Sequence, residues 1–281
     1  MKRQTLIAQR SLEVAAPCAC LWTVLTEPQY LRQWMEVVPE LDDDSPLRVG
    51  ARLTWRNAAG QAYLVGCITA LEPRRRWVME LHAPDWPREA LAGEVTYGFR
   101  LSETRGGVRI DFRMGDLAID PDGQAWRDTY ARSQELERIA ELAQALAARK
   151  MAQDEVLTLI RRWERAIQAG DLDGILAYHT EDIVMFDVPE PLQSLGLTAY
   201  RKTWELFFRY GAPHPALFVI EDLRVTAGVD VAFATGLLRI GGSPSPVCRL
   251  TLGLVKRDGQ WLIAHEHHSA PHALQDQETR S

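Results

Sequence analysis

Cysteine is scarce in this chain: 281 residues carry four, at Cys18, Cys20, Cys67 and Cys248, with no CxxC pair. That spacing excludes the usual zinc clusters, and the low density excludes a disulfide scaffold. Free thiols and no bound metal are the expectation. Long apolar runs are also missing, and no stretch approaches the roughly 18 residues that a membrane-spanning helix needs. The amino terminus, MKRQTLIAQRSLEV, turns polar again at Gln9 and Arg10, before a secretory apolar region can develop. A cytoplasmic protein with no membrane association follows as an expectation. A basic excess is lacking too, since 32 Lys and Arg stand against 38 Asp and Glu, for a formal charge of −6. Through Lys150 there are 20 basic and 21 acidic residues, and after it 12 and 17. Neither half has the electrostatic footprint of a nucleic-acid module. The run Arg74-Arg75-Arg76 reads as a solvated loop.

What is present suffices for two hydrophobic cores. The hydrophobic fraction is 46% and the charged fraction 25%, ordinary for globular protein, and at roughly 150 residues per domain the length predicts two domains. Apolar residues Trp126, Tyr130, Leu136, Ile139, Ala143 and Leu146 recur at helical spacing. Arg149-Lys150 reads as the end of that helix, and Asp154 as the N-cap of a second, carrying Val156, Leu159, Ile160, Trp163 and Ile167. The expected organisation is residues 1–150, residues 151–272 and a polar, disordered tail at 273–281.

In the first part, Thr5 to Val14 alternates as a strand, and Pro17 opens the helical segment CACLWTVLT. Strand-like runs ARLTW, AYLVGCITAL, RWVMEL, EVTYGFRLSE and VRIDFRM follow, punctuated by Gly60, Pro73 and Gly106-Gly107. The order predicts an antiparallel sheet around one long helix. The segments LWTVLTEPQYLRQW from Leu21, VGARLTW from Val49, LEPRRRWVMEL from Leu71 and ETRGGVRIDF from Glu103 carry a resemblance to the START-like SRPBCC superfamily. They are similar to its branch named after activators of the heat-shock ATPase, although the usual double glycine is Gly50-Ala51 here. The resemblance implies a helix-grip fold that often holds an apolar ligand. Chaperone regulation rests on the branch name alone. Of Trp22, Trp34, Trp55, Trp77 and Trp86, most are expected to pack a core rather than line a cavity.

In the second part, Gly170 stops a helix and Asp171 caps the next, DLDGILAYH. The strand DIVMFDV, a helix over Thr198–Tyr210 and four strands complete an α+β cone, with turns at Gly228, Gly241-Gly242 and Asp258-Gly259. QAGDLDGILAYHTED from Gln168, MFDVPEPL from Met185 and RLTLGLVKRDGQWLIAHEHHSAP from Arg249 resemble the nuclear-transport-factor-two-like superfamily. Within it they are similar to SnoaL-like polyketide cyclases and ketosteroid isomerase homologues. That resemblance places Asp187 at the proton-shuttling aspartate of the isomerases and Trp163 at their oxyanion tyrosine. It finds no carboxylate between Val247 and Val255 for their second oxyanion donor, so steroid isomerisation itself is not expected.

Strand alternation puts Trp261, Ile263, His265, His267 and Ser269 on one face, taken as the interior. With Asp187 they form the candidate catalytic set, Asp187, His265 and His267, above ligand-binding Trp163, Tyr200, Trp204 and Arg249. Three readings stay open. Asp187 is a general base with a pKa raised by burial and a histidine as its proton relay or an oxyanion donor, or His265, His267 and one carboxylate bind a metal, or the cluster only closes the cone. His179, His214 and His272 read as surface or loop residues. The function expected is a two-domain binder of small hydrophobic organic molecules, with a cofactor-independent isomerase, cyclase or lyase site at Asp187. The alternative is a non-catalytic protein that forms a homodimer through the second domain, with Leu250, Leu252 and Leu254 as its outward apolar row.

Overall fold

The computed structural model describes residues 5–41, 43 and 45–272. The expected tail at 273–281 lies outside the described residues. The chain divides into two compact units between Ala147 and Ala148.

The first unit opens with β1 (Ala8–Val14), α1 (Cys18–Thr26) and α2 (Pro28–Trp34). Then come β2 (Glu40–Leu41), β3 (Arg52–Arg56), β4 (Ala62–Glu72), β5 (Arg76–His82), β6 (Thr96–Thr104) and β7 (Gly107–Gly115). The seven strands form one antiparallel sheet in the order β1-β7-β6-β5-β4-β3-β2. Period-two burial decides its inner face: Val108, Ile110, Phe112 and Met114 are buried on β7 while Arg109 and Arg113 are exposed. Trp77, Phe99 and Phe112 fall in register across three strands, and Trp34 closes edge-on over Phe99 at 5.7 Å. Trp34 and Trp77 are core residues, as expected of most of these indoles.

After β7 a short helix, α3 (Gly123–Arg132), carries Trp126 and Tyr130. The long helix α4 then runs without interruption over Glu135–Ala169. The expected single stripe from Trp126 and the expected stop at Arg149-Lys150 are therefore both corrected. The break falls at Ser133, whose backbone is extended and whose Oγ accepts the Glu135 N–H at 3.1 Å. Nothing breaks the chain at 149–154, where Arg, Lys, Met, Ala and Gln are all good helix formers. One helix thus contributes Leu136, Ile139, Ala143 and Leu146 to the first core and Val156, Ile160, Trp163 and Ile167 to the second.

α4 ends where the sequence indicates. Gly170 adopts φ +69°, a left-handed conformation natural to glycine, and Asp171 accepts the Gly174 N–H at 3.0 Å to start α5 (Leu172–Leu176). The second unit continues with β8 (His179–Phe186), β9 (Ser194–Leu195) and α6 (Gly196–Tyr210). It closes with β10 (Phe218–Ala227), β11 (Val231–Ile240), β12 (Cys248–Arg257) and β13 (Gln260–Ser269). Its sheet order is β10-β11-β12-β13-β8-β9, antiparallel except for the parallel β13–β8 pair. Both units are α+β, as expected. Leu250, Leu252 and Leu254 are 1% exposed or less, so the anticipated outward row is in fact the inner one. No helix among the described residues is long and apolar enough to cross a membrane.

Candidate functional site

The site depends on which way β13 turns its side chains. Trp261 and Ile263 are buried, as alternation demands, but the next buried residues are Glu266 and His268. The reason is a β-bulge. Leu254 pairs with Ile263 and Gly253 with His265, leaving Ala264 as an extra residue. Beyond it the parity is reversed, because a one-residue slip moves every later side chain to the other face. Glu266 now lies opposite Leu252, and His268 opposite Leu250, both interior positions. Gly253 allows this close approach, since a Cβ there would come within 3.2 Å of the His265 Cβ.

The expected inward placement of His265 and His267 is corrected accordingly. Both lie on the outer face against Phe186, with ring centroids 5.1 and 5.7 Å from it, and His265 Nδ1 lies 3.0 Å from the Val184 carbonyl. Arg249 pairs with Ser269 and Leu237 on that face and is exposed, far from any role in lining the interior. Trp163 and Tyr200 are fully buried core residues. Asp187 and Trp204 do reach the cavity described below. Among the described residues no group of three or more His, Cys, Asp and Glu is arranged to hold a metal ion.

The buried polar cluster is Asp187, Glu266, His268, Tyr200 and His179. Tyr200 donates its hydroxyl to Glu266 Oε2 at 2.6 Å. His268 lies between two carboxylates, with Nδ1 at 3.2 Å from Asp187 Oδ1 and Nε2 at 2.9 Å from Glu266 Oε1. The second contact is off the hydrogen-bond direction and acts through charge. Burial pushes the His268 imidazole toward the neutral form, but the Asp187 hydrogen bond and the Glu266 contact outweigh it and lift the pKa to about 9. His268 is therefore an imidazolium at neutral pH. His179, expected at the surface, is instead buried against Tyr200 at a ring distance of 4.5 Å. Burial drives its pKa down to about 4, against the opposing charge of Glu266, and it is neutral.

Asp187 follows β8 immediately. Burial raises its carboxyl, but the His268 hydrogen bond and charge and the Val188 N–H together hold it below the ordinary carboxylate range. The expected elevation is thus reversed, because the imidazolium stabilises the ionised form. Both the Val188 N–H and the His268 Nδ1 contact converge on Oδ1. Among the described residues Oδ2 has no hydrogen-bond partner.

This carboxylate and His268 open onto a cavity of about 210 Å³ whose apolar wall includes Met185, Trp204, Phe207, Phe218 and Ile240. The sequence run Glu266-His267-His268 contained the missed residues. Their inward direction was hidden because a bulge has no reliable one-residue signature.

The matches to known proteins fall on the same two units. Residues 15–146 match the model of the Activator of Hsp90 ATPase homolog 1-like protein family, and residues 156–273 match the SnoaL-like domain. An NTF2-like protein of unknown function from Pseudomonas putida KT2440 is 36% identical, over 46% of this chain and 93% of that one, with a TM-score of 0.41. The chain joins an Activator of Hsp90 ATPase homolog 1-like domain to a SnoaL-like domain of the NTF2-like family. A candidate dehydratase of the NTF2-like family from Streptomyces avermitilis is 16% identical, over 44% of this chain and 99% of that one, with a TM-score of 0.38. A candidate ketosteroid isomerase from Shewanella frigidimarina is 20% identical, over 40% and 92%, with a TM-score of 0.33. No curated protein matches the chain. The Asp187–His268 cavity belongs to the SnoaL-like domain, and a second cavity, lined by Trp55, Tyr97 and Tyr130, belongs to the Activator of Hsp90 ATPase homolog 1-like domain.

Proposed function

We propose that both domains bind small, largely apolar molecules, and that the SnoaL-like domain moves a proton on its ligand through Asp187. The observation that carries this reading is the division of labour at the Asp187 carboxylate. Oδ1 is pinned by Val188 and His268, while Oδ2 has no hydrogen-bond partner among the described residues, and Asp187 lines an apolar cavity. An ionised oxygen in that position can take a proton from a C–H bond next to a carbonyl and return it at another carbon. No cofactor is consumed, and atoms balance within the ligand. His268 is a positioning residue, since both of its nitrogens face carboxylates. It keeps Asp187 ionised at the expense of basicity.

The reading predicts hydrogen–deuterium exchange at carbon. A panel of enolisable cyclic ketones incubated with the full chain in D2O should include members whose α-protons exchange, followed by NMR. Asp187→Asn should slow that exchange by roughly 10²–10⁴-fold, the usual contribution of a general base. Exchange at the solvent rate across the panel, or equal exchange by the variant, removes the catalytic assignment.

One observation favours the non-catalytic alternative, pairing of two chains through this domain. The outer face of β11 exposes Val231 at 59%, Phe233 at 53% and Leu237 at 37%. This row replaces Leu250, Leu252 and Leu254 as the patch a second copy would cover. Sedimentation equilibrium at micromolar concentration should then give a dimer, and Phe233→Glu a monomer. A monomeric wild type contradicts the pairing.

A further inference from the structure

The cavity of the Activator of Hsp90 ATPase homolog 1-like domain has a chemical bias that its apolar character alone does not convey. Its volume is about 250 Å³, slightly below the roughly 300–1,000 Å³ of pockets that take drug-sized molecules. Six aromatic side chains line it: Trp55, Tyr63, Trp86, Tyr97, Trp126 and Tyr130. Five carboxylates line it too, Glu36, Glu135 and Asp120 among them, and among the described residues no Lys, Arg or His does.

Glu135 is the deepest of these, only 7% exposed at the first residue of α4. The Tyr97 hydroxyl donates to its Oε2 at 2.7 Å, and the Glu36 N–H reaches Oε1 at 3.3 Å. Two phenols lie beside this acid, and both stay neutral. Burial, reinforced by the Glu135 charge, raises Tyr97 well above its ordinary pKa and Tyr130 likewise. Burial also raises Glu135 itself, against the Tyr97 and Glu36 hydrogen bonds and the charge of Arg138, so these do not fully compensate the buried carboxyl. Trp86 is fixed by its Nε1–H to Asp120 Oδ2 at 2.9 Å, so part of the aromatic wall is itself tied to the acidic rim. Ring faces and carboxylates share one preference, since each attracts a cation and repels an anion.

We propose that this cavity binds a small organic ammonium, an amine protonated at neutral pH on an apolar body, with its charge against Glu135 and the surrounding ring faces. This rests on the reading of the cavity as a ligand pocket and adds the charge of the ligand to it.

Titration calorimetry on the full chain at neutral pH with phenethylammonium, 2-phenylethanol and 3-phenylpropionate separates the two. The cation should bind at least about tenfold more tightly than the alcohol or the carboxylate, a difference of about 1.4 kcal/mol. Glu135→Gln should abolish that preference, and Glu36→Gln, at an exposed position, should reduce it by a smaller factor. The wild-type ranking decides the matter even where Glu135→Gln fails to fold. Binding of the alcohol or carboxylate as tight as the cation, or an unchanged preference in folded Glu135→Gln, overturns the proposal and leaves the pocket standing. No binding of any of the three at about 10 mM, where even a 4 kcal/mol interaction would register, overturns both.

Discussion

Glu266→Ala is expected to lower the unfolding free energy of the SnoaL-like domain by about 3–5 kcal/mol, the usual cost of removing one partner from a buried charge pair. Glu266 is fully buried, and its carboxylate serves the Tyr200 hydroxyl, at 2.6 Å, and the His268 imidazolium, at 2.9 Å. Alanine leaves the first without its acceptor and the second with Asp187 as its sole carboxylate contact. The domain as a whole has only about 5–15 kcal/mol to lose, so partial unfolding at room temperature is within range. Tyr200→Phe, which removes a single hydroxyl, should cost about 1 kcal/mol or somewhat more, because that hydrogen bond is charge-assisted. Urea unfolding followed by tryptophan fluorescence measures both. A loss below about 1.5 kcal/mol for Glu266→Ala would mean that water compensates the cluster and that it does not organise the core.

The same cluster sets opposing pH limits on stability. His268 titrates at about 9 in the folded chain against an ordinary value of 6.5. Its contribution is therefore complete below about 6.5 and is lost as the pH rises through about 9; at 1.36 kcal/mol per unit it amounts to roughly 3 kcal/mol. His179 works in the other direction. Its folded value is about 4, so between 6.5 and 4 the unfolded chain binds the proton that the folded chain refuses. Stability falls by a similar, roughly 3 kcal/mol amount over that interval and levels off below it. Asp187, held below its ordinary value by His268, adds to the acid limb at still lower pH. Urea midpoints from pH 4 to pH 10 should thus peak near pH 6.5. His179→Phe should flatten the acid side and His268→Gln the alkaline side. A midpoint that does not move between pH 6.5 and 9.5 would show that His268 is not charged in the folded state.

The same His268 charge governs the proposed chemistry. Because the imidazolium keeps Asp187 ionised, the exchange reaction should persist well below neutral pH, and the acid limit should come from loss of the fold as much as from protonation of the base. The positively charged histidine and the neutral one both lie near Glu266, but burial holds His179 neutral against that charge, while Asp187 and Glu266 together keep His268 protonated. Such separation of titration ranges within one cluster is the physical basis for assigning distinct roles to chemically identical side chains.

Strands, turns and most helices were readable from local signals. Val108, Ile110, Phe112 and Met114 alternate with polar residues, and Gly170-Asp171 end one helix and cap the next, because these are consequences of backbone sterics and side-chain period within a few residues. The α+β order was likewise legible, whereas Asp187, read as part of the strand DIVMFDV, lies one residue past the end of β8. Three features were not. The continuity of α4 through Arg149 and Lys150 depends on both ends of one helix finding a core to cover, which local charge does not report. The burial of His179 depends on Tyr200 and Trp163, which lie 21 and 16 residues away in sequence but at ring distances of 4.5 and 6.4 Å. The identity of the inward histidine depends on the extra residue Ala264, admitted where Gly253 leaves room on the neighbouring strand. Alternation is a local rule and survives only while register does. Register belongs to the pair of strands, so the choice between His267 and His268 as the partner of Asp187 was made by the sheet and not by the run of residues that contains them.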